Sequence, residues 1–211
     1  MITLKLKQKR LMTATQWSHQ QFDQLADILL NKTLLVANSK RFRLSEIEFY
    51  YCGPEHMDQY THCSDEQQMN GKFYFHKYKS GTYKSGTYKG LDLTFGHDQT
   101  YFGVLIRSIQ ETGETGEIVE GPCKSVNLLL KQFDCEVVKD FVEDKTLPLD
   151  IYDQQYKFHI VDDSHLTPQP IHKGPRIGLS DKYPLFRDLK YRYVINRDKI
   201  HKQRKTLDQV V

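Results

Sequence analysis

The chain has 211 residues and is 38% hydrophobic, with 13 Tyr and 11 Phe, enough large apolar surface for one core and too much for a disordered polypeptide. Its net charge of +3 permits a polyanionic partner without demanding one. Cys52, Cys63, Cys123 and Cys135 lack CxxC spacing, no cleavable apolar leader opens the sequence, and no apolar run approaches the roughly 20 residues of a bilayer span, which excludes a disulfide scaffold and a spanning helix and points to an intracellular, soluble protein of one domain.

Residues 1–10 alternate apolar and basic, the pattern of an edge strand or ordered arm over 1–14 whose lysines discourage edge pairing or touch phosphate. From Thr15 to Asn31 the apolar residues Trp17, Phe22, Leu25, Ile28 and Leu29 recur at helical spacing and predict an amphipathic helix. Residues 33–37, a turn, and residues 41–51 predict a hairpin. Alternation in its second strand puts Leu44, Glu46, Glu48 and Tyr50 on one face and Ile47, Phe49 and Tyr51 on the other. Cys52-Gly53-Pro54 supplies turn residues, so Glu55, His56, Asp58 and His62 fall on a loop, where function concentrates. Cys52, His56, His62 and Cys63 are zinc-ligand types, but their spacing fits no finger or ribbon.

Residues 70–89 carry YKSGT twice in tandem, at 78–82 and 83–87. The pattern suits a hairpin or looped ladder with Gly at its turns. It also suits tyrosine stacking planes set among Lys77, Lys79, Lys84 and Lys89, beside phosphate-binding charge. Residues 91–96 and 101–109 are the strongest strand signals and should form the centre of the sheet. Arg107, inside the second, needs an acid or a phosphate if it is buried. Gly121-Pro122 opens a helix with Val126, Leu129, Leu130 and Phe133 on one face, and the exposed amides of its first turn suit a phosphate. Residues 156–161 predict a short strand, Asp162, Asp163 and His165 a solvated turn before Pro168, and 189–196 a closing strand. The basic run 196–205 predicts an exposed helix or frayed end that adds attraction for a polyanion.

Taken in order, these segments resemble the alkyladenine (3-methyladenine) DNA glycosylase family over most of residues 19–195. The likeness is carried by Glu48-Phe49-Tyr50 with Gly53-Pro54-Glu55 and His62, by Arg107 in VLIRSI, by Gly121-Pro122-Cys123-Lys124 and by Pro175-Arg176-Ile177-Gly178. The resemblance implies a single α+β domain with a curved, barrel-like antiparallel sheet and surrounding helices. It implies a monomer that hydrolyses the N-glycosidic bond of an alkylated or otherwise modified purine flipped out of double-stranded DNA, with no metal or organic cofactor.

On this resemblance Glu48 activates water and steadies an oxocarbenium-like sugar, and Arg107 helps hold water and phosphate. Tyr50 and His62 sandwich the extruded base, Tyr88 is the wedge that fills the vacated stack, and Lys84, Lys89 and Lys124 contact the DNA backbone. The family's pocket Asn falls at Asp92 or at Thr94, depending on the direction of counting; an Asp there would accept from an exocyclic amine and change base preference. The loop before His62 is longer than the family's, Cys123 stands where the family has Ser, and the tandem YKSGT replaces its usual aromatic strand. The alternative is a non-catalytic or repurposed member of the fold that binds nucleic acid, RNA included, through the Tyr/Lys region.

Overall fold

The computed structural model describes residues 17–113, 116–144 and 149–209, so the arm expected over 1–14 lies outside the described residues. Helix α1 (His19–Asn31) starts where Ser18 caps it: the Ser18 hydroxyl accepts from the Gln21 amide at 3.3 Å, and Gln21 Oε1 accepts from the Ser18 amide at 2.8 Å. The helix therefore begins later than the Thr15 start expected, and Trp17 packs ahead of it, edge-on to Phe102. Phe22, Leu25, Ala26 and Leu29 make its buried face.

Strand β1 (Thr33–Ala37) turns at Asn38 and Ser39 into β2 (Lys40–Gly53), the hairpin expected. Then come β3 (His56–Met57), helix α2 (Asp65–Gln68), β4 (Phe73–Phe75), β5 (Leu91–Thr94), β6 (Tyr101–Glu111) and β7 (Ile118–Glu120). Helices α3 (Pro122–Lys131) and α4 (Val138–Asp144) precede β8 (Phe158–Asp162) and β9 (His172–Gly174). Helix α5 (Pro184–Arg187), β10 (Arg192–Val194) and β11 (Asp208–Gln209) close the chain. All pairings are antiparallel, in the order β11-β9-β10-β2-β6-β5-β4, with β1 joining β2 to β8 and β7 on β6. The result is a single α+β domain with a curled, half-barrel antiparallel sheet, as the sequence implied.

Strand β2 is the spine. β6 lines one edge of it from Phe42 to Cys52, while β1, β10 and β3 share the other. The pairing skips Ser45 on β2 and then Arg107 on β6, two offsetting bulges. The first reverses the alternation, so Leu44 joins Ile47, Phe49 and Tyr51 in the core instead of sharing a face with Glu46 and Glu48. The second leaves Arg107 free to turn towards those two acids. The core beneath is aromatic, with the Phe22 ring 5.2 Å from Phe49 and 5.4 Å from Phe102, contacts worth about 0.5–1.5 kcal/mol each beyond their buried area.

Two other expectations change, and the hairpin expected over the YKSGT segment holds. His56 lies on β3, paired back onto β2, so the loop after Gly53 is a tight hairpin. The first YKSGT repeat is a hairpin tip, closed where the Tyr78 amide donates to Thr82 O at 2.8 Å, and the second ends in a one-turn 3-10 helix over Gly86–Tyr88. The basic run 196–205 is largely exposed, as expected, but in place of one continuous helix or a frayed end it starts two one-turn 3-10 helices (Arg197–Lys199 and Arg204–Thr206), with Ile200 buried and the Lys202 and Gln203 carbonyls accepting from Arg192. No described helix is long and apolar enough to cross a membrane.

Candidate active site

In an antiparallel sheet, directly opposed residues project from the same face. One rung crosses five strands as Arg192, Glu48, Leu105, Asp92 and Tyr74, on β10, β2, β6, β5 and β4. This is the face turned away from α1, and it carries charge: Glu46, Glu48 and Arg192 are fully buried, and Arg107 is 5% exposed.

Four buried charges are tolerable only when each is paired and hydrogen-bonded. Glu46 receives Arg192 Nε at 2.7 Å, Arg107 Nε at 3.1 Å and the Ser108 hydroxyl at 2.5 Å. Glu48 receives Arg107 Nη1 at 3.4 Å and the Tyr50 hydroxyl at 3.0 Å on Oε2, and the Ile177 amide at 2.7 Å on Oε1. Burial lifts the Glu48 carboxyl above its ordinary value, against the pull of Arg107, the Ile177 amide and Tyr50; the charge of Glu46 adds to the rise. Burial, followed by the charge of Glu48, raises Tyr50 well above a normal phenol, so its hydroxyl stays protonated and donates.

The loop carrying Ile177 is fixed by its neighbour. Arg176 Nη1 donates to Asp58 Oδ2 at 2.6 Å and to Phe49 O at 3.1 Å, and Nη2 donates to Phe186 O at 2.8 Å. The same guanidinium lies 4.6 Å from the centroid of the Tyr50 ring, a cation-π contact that holds this ring in place. The expected Pro-Arg-Ile-Gly segment thus delivers an amide to the acid and a clamp to the aromatic.

A cavity of about 160 Å³ opens over the rung, lined by Tyr50, Tyr60, His62, Asp92, Leu105 and Leu179, with Gln67 and His76 completing it. Its size suits one aromatic ring system, since a cavity of ~150 Å³ holds benzene. The His62 ring stands at its mouth, 4.6 Å from His76 and 3.3 Å, at Nε2, from Lys84 Nζ. Burial, then the neighbouring His76, lowers His62 to about 4, so it is neutral at pH 7. Asp92 is held from both sides, Oδ1 by His76 Nε2 at 2.7 Å and Oδ2 by Gln67 Nε2 at 3.2 Å.

The structure thus gathers Glu48, Arg107, Tyr50, His62, Asp92 and Lys84 into one site, and corrects several expected roles. Glu48 does not border the cavity; it sits one layer behind, reaching it through Tyr50. Arg107 is spent on Glu46 and Glu48 and is too buried for phosphate. Thr94 is a structural residue: its hydroxyl bonds the backbone around Met69 and Lys72, so the pocket position belongs to Asp92. Lys89 is tied to Asn127 Oδ1 and Glu136 O, both at 2.8 Å, and does not reach out towards a phosphate. Lys124 is exposed on the first turn of α3, and Tyr88 projects at 71% exposure from the turn beside it, held where the Cys123 thiol meets Gly86 O at 3.0 Å.

Tyr60, Gln67, His76, Arg176, Glu46 and Arg192 were missed as site residues. His76 alone was legible, standing two residues after Tyr74 on an alternating strand; the others arrive from separate parts of the chain. A wider groove of about 1120 Å³ lies between the YKSGT segment and helices α3 and α4. Its lining mixes Lys84, Lys89, Lys131 and Lys139 with Asp134, Glu136 and Glu143, so it presents no uniform field, and it does not include Glu48. Among the described residues no group of three His, Cys, Asp or Glu could hold a metal ion.

No family model matches this chain. It is 44% identical over 202 residues to an uncharacterized protein of Acanthamoeba polyphaga mimivirus, a match covering 90% of this chain and 92% of that one.

Proposed function

The chain belongs to the family of that mimivirus protein, and we propose that it is a DNA glycosylase that flips a modified purine into the cavity and hydrolyses its N-glycosidic bond. The observation that carries this is a buried acid one layer behind a ring-sized cavity, joined to it by an aromatic wall residue, Tyr50.

Flipping costs a few kcal/mol, which stacking on Tyr50 and His62 would offset. As the C1′–N bond breaks, its electron pair goes to the base and positive charge grows on the sugar, where the carboxylate of Glu48 stabilises it. Among the described residues Oε1 of Glu48 accepts from the Ile177 amide alone, so an acceptor site remains for water once the Tyr50 side chain, which separates this buried carboxylate from the cavity, moves aside. The water oxygen bonds to C1′ and its proton passes to Glu48. A base that is cationic through alkylation leaves neutral and needs no acid. Tyr88 fills the gap left in the stack, and Lys84 and Lys124 meet flanking phosphates.

A second reading is a nucleic-acid-binding member of the fold without catalysis, RNA included, and one observation favours it: Glu48 is fully buried with partners on both oxygens. Incubation with alkylated duplex DNA separates the two. The enzyme releases free base and leaves an abasic site; a binding protein releases none, while its affinity falls steeply with salt. Absence of release from alkylated and deaminated substrates alike removes the glycosylase reading.

A further inference from the structure

We propose that the cavity reads the Watson–Crick edge of a guanine-type base, one bearing N1–H and a 2-amino group, through the carboxylate of Asp92. The proposal takes the cavity as a nucleobase site, and so rests on the reading above for that point alone.

Asp92 is 1% exposed, yet it lines the cavity. A carboxylate offers about two acceptor sites on each oxygen. His76 fills one on Oδ1 and Gln67 one on Oδ2. Among the described contacts this leaves one acceptor site per oxygen; opened side by side on the cavity, the two take a pair of parallel N–H donors as from a guanidinium fork. Guanine has such a pair in N1–H and N2–H. Adenine would turn its N1 lone pair towards a carboxylate oxygen, and hypoxanthine offers N1–H alone.

The fold makes room for this network at two positions. A Cβ on Gly103 would collide with Asp92 Oδ2 and Gln67 Nε2, and one on Gly90 would collide with the His76 ring. The Gln67 carbonyl is itself held, accepting from the Ser64 amide at 3.4 Å, so its amide group is oriented with the N–H towards Asp92. The carboxylate is therefore fixed before any base arrives, which limits the ordering cost of binding. Leu105 lies between Glu48 and Asp92 on the rung, so a base lying over it has its glycosidic end near Glu48 and its far edge at Asp92.

The test is calorimetric titration of the wild-type chain with 9-methylguanine, 9-methylhypoxanthine and 9-methyladenine. The first two differ only in the 2-amino group, whose hydrogen bond to a charged acceptor corresponds to about tenfold or more in affinity. The expected order is 9-methylguanine, then 9-methylhypoxanthine at least about tenfold weaker, then 9-methyladenine. In Asp92→Asn the gap between the first two closes. Equal affinities in the wild type, tighter binding of 9-methyladenine, or no binding of any of the three overturns the proposal. The wild-type series decides the matter even where Asp92→Asn fails to fold. Base release is a separate readout: a guanine preference without release removes the glycosylase chemistry and supports the edge readout, whereas release without that preference removes the readout and leaves the chemistry.

Discussion

Glu48 and Asp92 stand two strands apart on one rung of the sheet, with Leu105 between them. At the usual strand spacing this separates their backbones by roughly 9.5 Å. One acid is fully buried behind the wall of the cavity and the other faces into it. Both carboxylates are buried, and what separates them is that Asp92 lines the cavity while Glu48 does not.

Replacement of Glu48 by Gln keeps the shape and removes the charge. Base release from alkylated DNA should fall by about 100-fold or more, the scale of a lost general base, while DNA affinity changes by only a few fold. Single-turnover kinetics with gel-shift binding reads both. Undiminished release would take Glu48 out of the mechanism.

Because burial raises the carboxyl of Glu48 above its ordinary 4.5, the acid limb of the release rate should lie above that value. His62, lowered to about 4, is already neutral across this range and does not supply the limb. Stability runs the other way. A group whose folded value is raised contributes stability that is complete below its unfolded value and is lost as pH rises through the folded one. The stability of the wild type relative to Glu48→Gln should therefore decline with rising pH over the same interval in which activity appears. A rate profile set beside urea melts at each pH checks both signs.

Glu46 makes no contact with the cavity but holds two arginines. Among the described contacts, its replacement by Ala would leave Arg107 with the longer Glu48 contact and Arg192 with the Lys202 and Gln203 carbonyls, both guanidinium groups still buried. Breaking a buried pair from one side costs about 3–5 kcal/mol. Ser108→Ala, which removes a single hydrogen bond to the same carboxylate, should cost less, about 1.5–3 kcal/mol. Urea denaturation of the two variants should separate them clearly; similar midpoints would mean that Glu46 is not the anchor of the network.

The regular part of this architecture was legible in the sequence because it is written in local periodicity. Phe22, Leu25 and Leu29 recur at helical spacing, and Phe102, Val104 and Ile106 alternate along β6, so one helix face and the centre of the sheet followed directly. The offsetting bulges did not follow, since skipping Ser45 and Arg107 leaves no mark in residue type, yet it moves Leu44 into the core. The site was legible only as far as its motif reached. Glu48 and Tyr50 share a strand, but Asp58 and Arg176 meet across 118 positions, and Gln67 and His76 converge on Asp92 from separate segments. Such meetings are set by topology, which short patterns do not encode. Asp92 and Thr94 even share a face, and what separates their roles is the backbone around Met69 and Lys72 that takes up the Thr94 hydroxyl.

Tyr88 offers the cleanest separation of function from stability. It is a large ring at 71% exposure on a one-turn helix, and the described contacts that fix this turn are backbone and thiol bonds at Ser85, Gly86 and Cys123. An exposed ring of this kind adds little to folding, and surface substitutions usually change stability by less than about 0.5 kcal/mol. As a wedge, however, it would take the place of a base in the stack, an interaction worth about 1–3 kcal/mol. Tyr88→Ala should therefore melt within about a degree or two of the wild type, while losing roughly 5- to 150-fold in affinity for duplex DNA carrying a modified base. Single-stranded DNA has no stack to refill, so the loss there should be smaller. Equal losses on single and double strands would make Tyr88 a general stacking platform and remove its role as a wedge.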